Sequence, residues 1–288
     1  MKKLGFIGGG NMAEALMRGL LEKKIFKPAD LIASDVVPSR RQQLKRKLKI
    51  DSTADNLEVL RGARAILLAV KPQNIDEVLG ELASATDAAA ATANGSSSKA
   101  ARAVKLKDRL FISIAAGIPI ARLAEGLGTG ARVIRVMPNA PAMVGQGMAA
   151  LVRGSAASKA DETFALRIFR AVGDALALAD EGLLDAVTAL SGSGPAYVYL
   201  FVKAMADAAV TEGLPLELAT RMALKTLRGA EENMRQSPLA AADLIRIVAS
   251  PGGTTEAALR KFAEAGFSDI VAAALHAAAA RSRELGRS

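Results

Sequence analysis

The run Gly8-Gly9-Gly10-Asn11-Met12-Ala13, of the form G-x-G-x-x-A, is the strongest local signal in the chain. Its chemistry is that of holding a pyrophosphate. The first glycine permits a tight strand-to-helix turn, the second lets a diphosphate approach the backbone, and Ala13 allows close helix–strand packing. Unpaired N–H groups at the helix start, together with the helix dipole, supply the positive field. Asp35 stands 22 positions after Ala13, where an acid can hydrogen-bond the adenosine ribose of NAD. Arg40 and Arg41 follow soon after and suit the 2′-phosphate of NADP, so the two cofactors stay open. Arg40 to Lys49 holds six cations in ten residues, and most of these read as a solvated helix face.

Four further segments are too polar and glycine-rich for ordinary packing. Ala69-Val70-Lys71-Pro72-Gln73 ends a strand, at the edge where ligands bind in open α/β sheets. Arg135-Val136-Met137-Pro138-Asn139-Ala140-Pro141 follows another, with Asn139 as an organiser of the loop. Ser191-Gly192-Ser193-Gly194-Pro195 and Ser250-Pro251-Gly252-Gly253-Thr254-Thr255 each open a helix, Pro195 being suited to a first turn. Such starts present free N–H groups and hydroxyls to a carboxylate, which points to an anionic small-molecule substrate. Lys71 has two readings, orienting a ligand or pairing with a carboxylate at the sheet edge.

These residues need elements to position them. Leu4–Ile7, Leu31–Ser34, Ala65–Val70, Leu110–Ala115, Arg132–Met137 and Met148–Val152 read as strands, separated by helical patterns at Asn11–Leu21, Pro38–Lys49 and Asn74–Leu82. The alternation predicts an α/β fold, a Rossmann-type doubly wound parallel sheet with helices on both faces. After about residue 155 the pattern turns helical, over 158–172, 182–190, 195–213, 215–235, 238–249 and 254–284, with one short strand possible at 175–178. The expected division is therefore 1–154 for the dinucleotide-binding domain and 155–288 for an all-helical domain. Ser84–Arg102 is built almost wholly of small and polar residues and reads as a flexible surface insertion.

Composition narrows the chemistry. There is no cysteine and one histidine, His276, which excludes thiolate chemistry, histidine metal clusters and a Ser-His-Asp triad; no metal is expected. His276 lies in an alanine-rich helix and reads as structural, and Met137, Met143 and Met148 read as core filler. The net charge of +9 suits an anionic ligand, but 3% aromatic residues and no tryptophan leave little for base stacking, so no nucleic-acid partner is expected. No apolar run is long enough to span a bilayer and no leader is visible, so no membrane partner and a cytoplasmic location are expected.

The order of FIGGGNMAEAL, AVKPQ, ISIAAGI, RVMPNAP, TALSGSGPAYVYLF and SPGGTT along nearly the whole chain resembles the pyrroline-5-carboxylate reductase family. The resemblance implies reduction of 1-pyrroline-5-carboxylate to L-proline by NADPH or NADH, the last step of proline biosynthesis. It implies that the helical domain is a dimerisation domain, giving a homodimer or higher homo-oligomer. It further implies cofactor contacts at Gly8, Gly9, Gly10, Asn11 and Met12, at Ser34 and Asn56, at Ala69, Val70, Lys71 and Pro72, and at Ala116. Glu181, Ser191, Gly192, Ser193, Gly194, Thr254 and Thr255 would surround the substrate, with Thr255 donating to the ring nitrogen and Lys71 as a second catalytic candidate. The chain departs from the family pattern at the Ser84–Arg102 insertion, at Asp35, and at Ile245-Arg246-Ile247 in place of a more acidic stretch. A β-hydroxyacid dehydrogenase or other imine reductase is the rival enzyme, yet Lys203 and Lys225 lie in no recognisable motif. A dinucleotide-sensing binding protein is the rival from another class, and the intact SGSGP and SPGGTT segments argue against both.

Overall fold

β1 (Lys2–Ile7) and β4 (Ala63–Leu68) lie side by side, parallel, and are apolar on both faces, as strands covered by helices on both sides must be. The computed structural model describes residues 1–91 and 105–286. Side chains alternate between two cores. Leu4, Phe6 and Leu67 enter one, packed by α1 (Asn11–Glu22), α2 (Pro38–Leu48) and α6 (Lys159–Phe169). Ile7, Ile66 and Leu68 enter the other, under α3 (Asn56–Gly62), α4 (Ile75–Ala91) and α5 (Ile120–Leu127). The period of two thus builds a three-layer sandwich from single strands.

The remaining strands are β2 (Leu31–Ser34), β3 (Asp51–Thr53), β5 (Leu110–Ser113), β6 (Arg132–Pro138), β7 (Gly147–Arg153) and β8 (Gly173–Leu178), in the order β3-β2-β1-β4-β5-β6-β7-β8. The chain runs outward from β1 through β2 to β3, then restarts on the other side at β4. The topological switch point therefore lies between β1 and β4, where ligands bind in such sheets.

Several sequence expectations are corrected. The sheet is mixed: β7 runs antiparallel to β6, because only a tight 3₁₀ turn at Ala140–Val144 joins them, too short for a crossover. β3 was not foreseen, being a three-residue edge strand. The boundary near Gly154 falls inside the sheet, since β8 pairs in parallel with β7 after crossing through α6. The compact units are instead Met1–Gly192 with Ala278–Ser288, and Ser193–Ala277. α4 continues through Ala91, so the start of Ser84–Arg102 is helical; its remainder from residue 92 lies outside the described residues. The helix expected over 254–284 breaks at Gly266, whose φ of +67° ends α11 (Thr254–Glu264) before α12 (Phe267–Leu285).

α6 opens with a reciprocal cap. The Ser158 hydroxyl accepts from the Asp161 amide at 3.2 Å, and Asp161 accepts from the Ser158 amide at 2.9 Å. After β8, α7 (Leu183–Val187) runs into a π-helical turn at Thr188–Gly192. The second unit is helical throughout. α8 (Gly194–Thr211) packs on α9 (Leu216–Gln236), followed by α10 (Ala241–Val248), α11 and most of α12. Large apolar side chains stay exposed on it, among them Leu200 at 67%, Met222 at 51%, Ile247 at 68% and Ile270 at 62%. Among the described residues no helix is long and apolar enough to cross a membrane.

Candidate active site

The glycine loop leaves β1 and enters α1 under tight constraint. Gly8 has φ +93°, and a Cβ there would lie 2.8 Å from the Ala69 carbonyl carbon and oxygen. Its amide donates to Ser34 O at 3.0 Å, and Ala69 N donates to Ile7 O at 2.8 Å, so three strand ends are laced together. A Cβ on Gly9 would press on Leu44 at 2.8 Å, whereas one on Gly10 would meet nothing within 4 Å. Gly10 therefore opens onto free space at the start of α1, where Asn11 and Met12 carry amides that no carbonyl within the helix can satisfy. Ala13 is fully buried against the sheet. This cradle fits a diphosphate: small residues where the backbone must be approached, and N–H groups facing the space.

Asp35 and Arg40 bind the loop itself. Asp35 Oδ2 accepts the Gly9 N–H at 2.9 Å, and Oδ1 accepts the Val37 N–H at 2.8 Å. Arg40 donates from Nε to Gly9 O, from Nη2 to Gly10 O at 3.0 Å, and pairs through Nη1 with Glu14 at 2.6 Å. Its side chain is only 15% exposed and Glu14 13%, so Arg40 is a buried clamp on the loop rather than part of a solvated face. Arg41 Nη1 donates to the carbonyls of Asp35 at 2.7 Å and Val36 at 3.0 Å. Burial raises the Glu14 pKa, but hydrogen bonds and charge from Arg40 and Lys47 outweigh it and hold the carboxyl below its ordinary value.

The other cofactor candidates line the same sheet edge. Ser34 ends β2, and its hydroxyl donates to Asn56 Oδ1 at 2.6 Å. Asn56 Nδ2 donates in turn to Glu81 of α4 at 2.6 Å, which fixes the orientation of the amide. Ala69 and Val70 follow β4, and Lys71 opens a short 3₁₀ turn at Pro72–Asn74. Lys71 is exposed and makes no ion pair among the described residues. Ala116 is half-buried in the turn after β5, beside Gly117 at φ +79°. The structure thus brings the sequence candidates to the carboxyl ends of five adjacent parallel strands, β3-β2-β1-β4-β5.

The substrate candidates fall in both units. In the first, Glu181 Oε1 accepts the Ile120 N–H that opens α5 at 2.8 Å and pairs with Arg135 at 2.8 Å, so its carboxylate is engaged in structure. Ser191 and Gly192 sit in the π-helical turn. Asn139 Nδ2 donates to Ser191 O at 3.1 Å and Oγ at 3.2 Å, while its Oδ1 accepts the Met148 N–H at 2.8 Å. In the second unit, Ser193 precedes α8 with Pro195 in its first turn, and Thr254 and Thr255 form the first turn of α11 after Gly253. Gly252, at φ +68°, donates its amide to Glu256, 2.6 Å away. Sequence reasoning missed Glu14, Glu81 and the buried Arg135. Only Arg135 carried a signal, a cation inside the apolar run Arg132–Met137.

Known proteins resemble this chain along its length. Residues 181–285 match the family model for pyrroline-5-carboxylate reductase dimerisation, and residues 3–93 match that for NADP oxidoreductase, coenzyme F420-dependent. A protein of Pseudomonas aeruginosa named pyrroline-5-carboxylate reductase is 40% identical over 98% of this chain and 96% of its own length. The solved pyrroline-5-carboxylate reductase of Coxiella burnetii superposes with a TM-score of 0.85 at 31% identity, covering 100% of this chain and 99% of that one. The pyrroline carboxylate reductase of Plasmodium falciparum, solved with NADP bound, superposes with a TM-score of 0.83 at 30% identity, covering 99% and 98%.

Proposed function

Because the chain belongs to the pyrroline-5-carboxylate reductase family, we propose that it transfers a hydride from NAD(P)H to the imine carbon of 1-pyrroline-5-carboxylate, giving L-proline. The observation that carries this reading is the glycine cradle at the β1–β4 switch point, with the cofactor candidates along one sheet edge. Gly8 to Met12 would hold the diphosphate, Ser34, Asp35 and Asn56 the adenosine end, and Ala69 to Pro72 with Ala116 the nicotinamide end. The dinucleotide, when bound, supplies the hydride.

The chain's own residues bind and orient. A carbonyl would need a strong acid to receive charge, but a cyclic imine can arrive protonated, so its carbon is already electrophilic. This fits a protein with one histidine and no cysteine. The Ser191 and Ser193 hydroxyls, the first-turn amide of Gly194 and the opening turn of α11 at Thr254 would clamp the substrate carboxylate, and Thr255 would donate to the ring nitrogen. Lys71, exposed and unpaired among the described residues, offers a further cation to the bound ligands. Glu181 acts one step removed, through Arg135 and the start of α5.

The exposed apolar face of the second unit supports a homodimer or higher homo-oligomer. The absence of cysteine supports a cytoplasmic location, and the scarcity of aromatic residues argues against nucleic acid as a partner. The test is oxidation of NADPH and NADH by the purified protein given 1-pyrroline-5-carboxylate. Turnover is expected. A folded sample that binds dinucleotide without turnover would sink the reading. Thr255→Val is expected to cut kcat/KM by more than about 10-fold with the fold intact, the scale of one lost polar contact to the reacting ring; unchanged kinetics would remove that role.

A further inference from the structure

Asp35 and Arg40 compete on paper for opposite cofactors, and the structure treats them differently. The Asp35 carboxylate is fixed at the end of β2, one oxygen on the Gly9 N–H at 2.9 Å and the other on the Val37 N–H at 2.8 Å. It cannot turn away without leaving two amides unpaired. Each oxygen keeps a further lone pair for a hydroxyl donor. In this fold the acid at that point meets the adenosine ribose, and a 2′-phosphate would bring a dianion against a fixed carboxylate.

A counter-charge would have to come from the neighbouring arginines. Arg40 is committed through all three guanidinium nitrogens, to Gly9 O, Gly10 O and Glu14. Pulling it toward a phosphate would unclamp the loop that holds the diphosphate and leave Glu14, 13% exposed, with Lys47 at 3.3 Å as its one cation and Gln43 at 3.4 Å. Arg41 is folded back on two carbonyls of the β2–α2 turn. We propose that this chain selects NADH over NADPH, with Asp35 as the specificity-determining residue and Arg40 as a positioning residue for the glycine loop. The proposal rests on the dinucleotide site argued above.

The test measures dissociation constants of NADH and NADPH on the full chain by titration calorimetry, with no substrate present. The wild type is expected to bind NADH at least about 10-fold more tightly, the order expected for exchanging a hydroxyl–carboxylate contact for a like-charge one near the surface. Asp35→Asn keeps an acceptor for one amide and removes the charge. It is expected to weaken NADH and strengthen NADPH, narrowing the ratio, while Arg40→Met weakens both alike. Equal or tighter NADPH binding in the wild type would overturn the proposal, as would an unchanged ratio in Asp35→Asn. Selective loss of NADPH binding in Arg41→Ala would also overturn it, by showing that a cation does reach the phosphate. Loss of both cofactors from the wild type would overturn the dinucleotide site itself and this proposal with it. Two cofactors bound equally would sink the preference alone.

Discussion

Asn139 ties the β6–β7 turn to the segment that carries Ser191, through three contacts of one side chain. Replacing it with alanine removes the donor to Ser191 O at 3.1 Å and Oγ at 3.2 Å, and the acceptor for the Met148 amide at 2.8 Å. The Met148 N–H would be left half-buried without a partner, a penalty of about 1–3 kcal/mol, and the shared donor to Ser191 adds about 1 kcal/mol. A total of about 2–4 kcal/mol lowers the melting temperature by roughly 5–15 °C in a domain of this size. Asn139→Asp separates the two halves of the effect. It keeps the acceptor for Met148 but sets a carboxylate against the Ser191 carbonyl, so its folded pKa rises above the unfolded value. That variant should be least stable relative to wild type at neutral pH, and should recover as acid protonates the new carboxyl and restores a donor. Calorimetric melts from neutral pH to about pH 4 read both terms. Kinetics read the consequence: a loosened Ser191 turn raises KM for 1-pyrroline-5-carboxylate, while NADH affinity changes less, because Asn139 follows β6, one strand beyond β5, the last of the strands whose ends hold the dinucleotide candidates. An Asn139→Ala protein that melts within about 1 °C of wild type with unaltered KM would refute the reasoning.

Gly8→Ala and Gly10→Ala should part company. At Gly8, φ +93° and a Cβ 2.8 Å from the Ala69 carbonyl give a loss of about 2–4 kcal/mol in stability, read by urea unfolding. At Gly10, with φ −61° and nothing within 4 Å, stability should hold while dinucleotide affinity falls, because the methyl group stands where a diphosphate must approach. Glu14 should appear in the acid limb of stability. Its folded pKa lies below the ordinary 4.5, so its contribution is present above 4.5 and is lost as pH falls through the lowered value. Unfolding of Glu14→Gln should therefore show a shallower decline below that pH than the wild type, and an identical slope would contradict the Arg40–Glu14 assignment.

The order of strands and helices was legible where the physics is local. Strands such as Ala65–Leu68 are continuous apolar runs because two helical layers cover them, and α1 carries its buried stripe at Leu16 and Leu20. β3 escaped because three residues carry no period. The antiparallel turn between β6 and β7 was readable in principle, since the stretch between Met137 and Met148, with Pro138 and Pro141 in it, leaves no room for a crossover helix. The boundary was misplaced because β8, GDALAL, buries mainly Ala175 and so lacks the bulky alternation that marks a half-buried strand.

The site divides along the same line. The turns at Gly8 to Met12, Ser191 and Thr255 were legible because glycines, short polar side chains and helix starts are written in contiguous sequence. Arg40 was not. It lies among six cations in ten residues, and nothing in that run separates it from Lys45 or Arg46, which face solvent. Its role exists only because α2 packs on the sheet through Leu44 and Leu48, bringing Arg40 within reach of Gly9, Gly10 and Glu14, residues 26 to 31 positions away. The same holds for Glu81 on Asn56 and Glu181 on Arg135, each a long-range contact made once the sheet has assembled. In this fold the candidate binding turns are written locally, and the residues that hold them still are written by topology. Substitutions at Arg40, Glu81 and Asn139 should therefore disturb binding through geometry, changing KM or Kd before they change the chemistry of hydride transfer.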